Sequence, residues 1–234
     1  MTNFLEANRN KKLLADGVSL LHEIPAESIA ARFFDPQYRQ VLEKMNYGNK
    51  GSRQSGRASL PQMPQELIEH FIILIAGALK PGGYLFFWCD KHIIAEGIHL
   101  EMFDWKVRNI PKSHHLARVD MLTWDKGRIA QGYRLRNKSE FLLVCQKPPK
   151  SIKTWKDKGI PDVWSEKIVD PRKGHPHKKP VGLITRLIES VTLKDDYILD
   201  PCAGSFHVMA SCFVTGRNFI GCDISPKFAN EELV

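Results

Sequence analysis

Three short segments hold side chains whose types and spacing could do chemistry together. The first, Asp35-Pro36-Gln37-Tyr38, follows Ile29–Phe34, which reads as a short buried strand. Proline removes a backbone donor and restrains its neighbour, so a carboxylate, an exposed Pro36 carbonyl and the Tyr38 ring remain in a small volume. Acceptors beside a stacking ring suit an aromatic amine, whose hydrogens they take while the ring holds its plane. The second, Asp200-Pro201-Cys202-Ala203-Gly204-Ser205-Phe206, reads as a strand end, a small-residue turn and a helix start. Such a turn brings backbone N–H groups close to a ligand. The third is Asp223, which ends the next strand about 20 residues on, where an acid binds the hydroxyls of a ribose. Each segment alone is an ordinary turn. Together they point to an adenosine-containing ligand beside an amine-bearing ring. One glycine stands where a dinucleotide fingerprint has three, so no pyrophosphate cradle is expected.

These segments need elements to hold them. Ala15–Leu21 predicts a short helix closed by Ile24-Pro25, and Ile29–Phe34 a short buried strand. Pro64–Leu79 carries apolar residues at helical spacing and stops at Lys80-Pro81-Gly82-Gly83. Tyr84–Cys89 is a continuous apolar run, the mark of a strand covered on both faces. A helix over Ile93–Phe103, a strand over Phe141–Cys145 and a Lys-rich irregular connection to about Lys173 follow. The chain then predicts a helix (Lys179–Val191), a strand (Tyr197–Leu199), the second segment, a helix (Phe206–Thr215) and a strand (Phe219–Cys222). Strands alternating with helices make an α/β sheet with right-handed crossovers.

The 234 residues include 34 Lys and Arg against 26 Asp and Glu, a net charge of +8 that favours a polyanionic partner. The surplus is clustered. Arg39, Lys44, Lys50, Arg53 and Arg57 face only Glu43 within a Gly- and Ser-rich loop. A second cluster from Lys106 to Lys138 includes Arg118, Arg128, Arg134 and Arg136, with Trp105, His114, His115, Trp124 and Tyr133 interleaved. Cations for phosphates beside rings for bases are the ingredients of a nucleic-acid surface. The longest apolar run, Phe71–Leu79, is half of the roughly 20 residues a spanning helix needs, and no secretory signal is evident. Five cysteines without a C-x-x-C pair fit a reducing cytoplasm rather than disulfides or zinc. His175 and His177, set among prolines, are not expected to bind metal.

The ordered motifs resemble the beta class of DNA amino-methyltransferases. Asp35-Pro36-Gln37-Tyr38 matches that family's Asp-Pro-Pro-Tyr, and Leu79-Lys80-Pro81-Gly82-Gly83 its turn before a buried strand. His175-Pro176-His177-Lys178-Lys179-Pro180 matches its His-Pro-x-x-Lys-Pro, residues 200–206 its Asp-Pro-Phe-x-Gly-Ser-Gly, and residues 216–223 its Gly-Arg-x-Phe-Ile-Gly-Cys-Asp. The resemblance implies a Rossmann-like, mostly parallel sheet of seven strands in circularly permuted motif order, with a small target-recognition insertion. Residues 1–104 would be the catalytic half, 105–172 the target-recognition segment packed with the sheet, and 173–234 the half that binds S-adenosylmethionine. By the same resemblance Asp200, Cys202, Ala203, Gly204, Ser205 and Phe206 would line the donor site. Asp223 would hold the ribose, Lys179 and Pro180 would shape the methionine end, and Asp16 would approach the adenine. Asp35, Pro36 and Tyr38 would hold a base flipped from duplex DNA, since its amine is unreachable in the stack. Asp at the first motif position favours adenine N6. Cytosine N4, an RNA substrate, and a non-catalytic nucleic-acid-binding scaffold are the alternatives. No membrane is implied; the family also admits a homodimer and a cognate restriction enzyme. Gln37 replaces the second proline, Cys202 a bulkier residue and Phe206 a glycine. Phenylalanine disfavours positive φ, so the turn is expected to keep ordinary dihedrals or the pocket to differ.

Overall fold

A computed structural model describes residues 4–36, 63–99, 103, 110–130, 134–167, 179–225 and 227. The chain runs α1 (Phe4–Asn8), β1 (Leu13–Leu14), α2 (Gly17–Glu23), β2 (Ile29–Phe34), α3 (Gln65–Ala78), β3 (Leu79–Cys89) and α4 (Lys91–Ala95). It continues with β4 (Ala117–Ala130), β5 (Asn137–Gln146), β6 (Val163–Ser165), α5 (Val181–Val191), β7 (Tyr197–Asp200), α6 (His207–Thr215) and β8 (Asn218–Asp223). The strands form one sheet in the order β1-β8-β7-β2-β3-β5-β4-β6. Every neighbouring pair is parallel except those that β5 makes with β3 and β4. The sheet is thus mostly parallel, as expected, but has eight strands rather than seven. The difference lies at the edges, where β1 has two residues and β6 three.

All six residues of β2 are buried because the strand is central and covered on both faces. Ile29 and Phe34 join a core that includes Leu20 of α2 and Phe71, Ile72 and Ile75 of α3. Ala31 and Phe33 join the opposite core, with Leu183 and Leu187 of α5 and Met209 and Cys212 of α6. Helix α3 passes straight into extended backbone at Leu79, and the expected stop signal lies inside the start of β3. The 14-residue β4 was not legible from pattern: of its described side chains only Leu122 and Trp124 are buried, while Val119 and Met121 are exposed. Strands β4, β5 and β6 lie within the range expected for target recognition, so that range builds part of the sheet itself. Among the described residues no helix is long and apolar enough to cross a membrane.

Candidate active site

The site lies where the strand order reverses. Strand β7 leads through α6 to β8 on one side, and β2 leads through α3 to β3 on the other, so the carboxyl ends of β7 and β2 form the switch point at which open α/β sheets take ligands. The register pairs Ala31 with Ile198 and Arg32 with Leu199, which sets Asp200, the last residue of β7, and Asp35, just past β2, at the same edge. Their charges sense each other. Burial pushes the Asp200 carboxyl up to about 7; the Cys202 N–H and Arg32 oppose this, while Asp35 and Asp223 add to it.

The turn after β7 is stitched to β8. Ala203 N–H donates to the Cys222 carbonyl at 2.9 Å, and Gly204 N–H to Asp223 Oδ2 at 2.9 Å. Ser225 N–H donates to the other Asp223 oxygen at 2.8 Å. Gly204 has φ +50°, and open space surrounds the place where its β-carbon would stand. Asp16 reaches this edge because Leu14 pairs with Asp223 and Ala15 N–H donates to the Asp223 carbonyl at 3.1 Å. Its carboxylate caps α2 by accepting from Val18 and Ser19 N–H, both at 3.0 Å. A β-carbon on Gly17 would lie 2.5 Å from the Pro201 carbonyl oxygen, so glycine permits the approach of α2 to the turn. Cys202 is half-buried, and its thiol is pushed up by burial. Ser205 Oγ hydrogen-bonds His207 Nδ1.

Phe206 corrects the expectation about its dihedrals. It takes φ +57° and ψ +36°, the left-handed conformation a glycine would adopt, and starts α6 from it. Its ring is fully buried, edge-on to Phe219 at 5.9 Å, and belongs to the core shared by α5 and α6. The turn from Asp200 to Phe206 therefore ends in a left-handed residue, and the ring is core, not the lining expected of it.

At the end of β2, Asp35 follows the strand and Pro36 is buried. Gln37, Tyr38, Arg39, Lys44, Lys50, Arg53, Arg57, His175 and His177 lie outside the described residues. Lys179 and Pro180 immediately precede α5, and Pro180 is buried. Glu166 fixes that helix start by accepting from Gly182 and Leu183 N–H at 3.1 and 3.2 Å. Lys179 Nζ lies 3.0 Å from Asp35 Oδ1, 2.8 Å from Glu140 Oε2 and 4.8 Å from the Trp88 ring centre. Lys126 Nζ lies 3.0 Å from Glu140 Oε1. Burial pushes Asp35 up and Lys179 opposes it. Burial would pull Lys179 down, but Asp35 and Glu140 hold it above its ordinary value. Glu140, against the trend of its burial, is held at about 2 by Lys179 and Lys126. The Lys179 ammonium thus meets Asp35 at the end of β2 as well as Glu140 of β5.

Sequence reasoning missed Glu140, Trp88 and Arg32. Glu140 stands just before the apolar run of β5; because β5 is antiparallel, that strand's beginning lies at the active edge. Arg32 is fully buried on β2, and its three nitrogens have no hydrogen-bond partner among the described residues. Burial pulls its guanidinium down to about 9, while Cys202 and Asp200 pull it up.

The arginines of the second basic cluster separate. Arg128, Arg134 and Arg136 are exposed where β4 ends and β5 begins, the edge that also carries Asp35. Arg118 pairs with Cys145, six residues along β5 from Ser139, which pairs with Asp125. That is about 20 Å toward the opposite edge. Trp124 is buried and donates its ring N–H to the Glu166 carbonyl at 2.8 Å, so it is core and not a stacking surface. Trp105 and Tyr133 lie outside the described residues.

Fold and cleft define a Rossmann-like α/β protein with a ligand crevice at its switch point. A sequence profile of the N6/N4 DNA methylase family matches residues 33–232. The chain is 48% identical over 217 residues to the Type II methyltransferase M.HhaII of Haemophilus parahaemolyticus, covering 92% of this chain and 91% of that one. Among solved structures it resembles the PvuII DNA methyltransferase (cytosine-N4-specific), with a TM-score of 0.66 and 15% identity over 95% of this chain and 86% of that one. It also resembles a putative DNA modification methylase of Thermus thermophilus complexed with S-adenosylmethionine, with a TM-score of 0.60 and 16% identity over 94% and 89%. The chain belongs to the N6/N4 DNA methylase family and is an S-adenosylmethionine-dependent DNA methyltransferase.

The residues present fit that cofactor. Its sulfonium and ammonium are cations and its ribose is a diol. The crevice offers the raised carboxyl of Asp200, the Asp223 carboxylate and an unobstructed backbone at Gly204.

Proposed function

We propose that the chain methylates N6 of an adenine flipped out of duplex DNA. The observation that carries this reading is the pairing of β2 with β7, which sets the Asp35 carboxylate and the Asp200–Phe206 turn on one crevice. The first-position aspartate of the Asp-Pro-x-Tyr segment supports adenine over cytosine by resemblance. The likeness to a cytosine-N4-specific enzyme at 15% identity speaks to the fold.

The bound cofactor supplies a methyl group already activated on a sulfonium. What remains for the protein is alignment and relief of charge. Asp200 and Asp223, with the backbone of Ala203 to Ser205, would hold the donor, and Asp16 would lie at its base end. An aromatic amine is a poor nucleophile because its lone pair is delocalised into the ring. The Asp35 carboxylate and the Pro36 carbonyl would accept its two hydrogens, favour a pyramidal nitrogen and offset positive charge as the methyl arrives. Tyr38 would hold the plane of the base. Exposed Arg128, Arg134 and Arg136 would meet phosphates at the same edge, as would the basic residues from Arg39 to Arg57.

Transfer of a labelled methyl group to duplex DNA and to RNA, followed by digestion to nucleosides, tests the proposal. N6-methyladenine from duplex DNA is expected, and Asp35→Ala should abolish it while leaving donor affinity within about twofold. N4-methylcytosine, transfer to RNA alone, or near-normal turnover by Asp35→Ala would overturn it.

A further inference from the structure

The Asp35 carboxylate is tied into a line of alternating charges. Asp35, Lys179, Glu140 and Lys126 follow one another at 3.0, 2.8 and 3.0 Å, from the end of β2 to β5 and β4. The side chains of Lys126, Lys179 and Glu140 keep 11%, 17% and 30% of their exposure and that of Asp35 keeps 39%, so the line runs from a half-open carboxylate into a largely withdrawn interior. Exposed ion pairs are worth little, and withdrawn ones are commonly replaceable by apolar residues without loss of stability. Stability is therefore a poor reason for four charges at the mouth of a crevice.

Their geometry bears on Asp35 directly. An ammonium has three donors. Lys179 directs one at Asp35 and one at Glu140, while the flat face of Trp88 supports it from 4.8 Å. The contact commits Oδ1 of Asp35, and among the described residues Oδ2 has no hydrogen-bond partner and can take an incoming hydrogen. A lone ammonium beside the reacting nitrogen would repel the positive charge that builds there. Glu140 offsets that cation, and Lys126 in turn offsets Glu140.

Resting on the reading of Asp35 as the acceptor of the target amine, we propose that Lys179 and Glu140 are positioning residues. Lys179 keeps Asp35 ionised and turns one oxygen to the base, and Glu140 aims Lys179. Neither touches the methyl group. The other groups facing Asp35 are consistent with this. Cys89 of β3 is pushed up to about 12 by burial and stays neutral, and Asp200 of β7, pushed up to about 7, repels Asp35 when ionised. Burial pushes Asp35 up, Lys179 opposes that push, and Glu140 adds to it.

The test measures methyl transfer to duplex DNA at saturating donor from pH 5 to 9, with donor affinity measured separately, for Lys179→Met, Lys179→Arg, Glu140→Gln and Asp35→Ala. Lys179→Met should lower the plateau kcat about 100-fold. It should also move the acid limb about one unit to higher pH, because Asp35 loses the cation that opposes its burial. Donor affinity should stay within about twofold of the original. Lys179→Arg should restore most of the plateau and the limb. Glu140→Gln, which keeps its volume and serves where Lys179→Met does not fold, should lower the plateau about tenfold without an upward shift of the limb. An unchanged plateau and limb in either folded variant overturns the inference, as does a loss confined to donor affinity, which would assign Lys179 to the donor alone. If Asp35→Ala is inactive while Lys179→Met is normal, only this inference fails. If Asp35→Ala turns over normally, the reading beneath it fails as well.

Discussion

Replacing Phe206 sets two opposed effects against each other at one residue. Its backbone is left-handed, at φ +57° and ψ +36°, which costs a residue bearing a β-carbon about 1–2 kcal/mol. Its ring is fully buried against Phe219, and removing such a ring typically costs about 3–5 kcal/mol. Phe206→Ala loses the ring and keeps the strained backbone, so a destabilisation of about 3–5 kcal/mol is expected. Phe206→Gly loses the same ring but relieves the strain, less about 0.5–1 kcal/mol for the freer unfolded chain. Glycine should therefore be less damaging than alanine by up to about 1.5 kcal/mol, the reverse of their usual order in a helix. Urea unfolding followed by tryptophan fluorescence reads this from the midpoints, provided that the slopes agree. Donor affinity of the folded glycine variant should remain within a few-fold. Alanine proving the milder substitution would remove the left-handed assignment. A loss below about 1 kcal/mol in both would show that the ring is not core.

Donor binding should depend on pH through Asp200. Its carboxyl, raised to about 7 by burial, is mostly protonated at pH 6 and mostly ionised at pH 8. A cationic ligand favours the ionised form, so affinity should rise about tenfold between those values. The dependence should flatten in Asp200→Asn; a flat profile in the unaltered protein would refute the assignment. DNA binding should divide the arginines by edge. Replacing Arg128 or Arg136 by alanine should reduce the salt slope by about one each, whereas Arg118→Ala should leave it unchanged. Equal effects from all three would contradict the placement of Arg118 at the far end of β4.

The sequence by itself determined whatever neighbouring residues settle among themselves. Continuous apolar runs announced β3, β5 and β7, the largely apolar stretch around Arg32 announced β2, and the helical spacing of residues 64–79 announced α3. The acids at positions 35, 200 and 223 could be assigned to strand ends because each follows such a run directly. Strand β4 escaped because one partly exposed face leaves no apolar run to find, and Phe206 escaped because its type argues for ordinary dihedrals. Only the tertiary structure decided that β2 lies beside β7, which turns three turn segments into one crevice. It also decided that Lys179 meets both Asp35 and Glu140, and that Arg118 and Arg128 of one strand face opposite edges. The physical reason is that local patterning depends on a few adjacent side chains competing for burial, whereas strand order and charge pairing depend on which distant surfaces meet. A lysine at 179 carries no mark of a carboxylate at 35 until the sheet has closed between them.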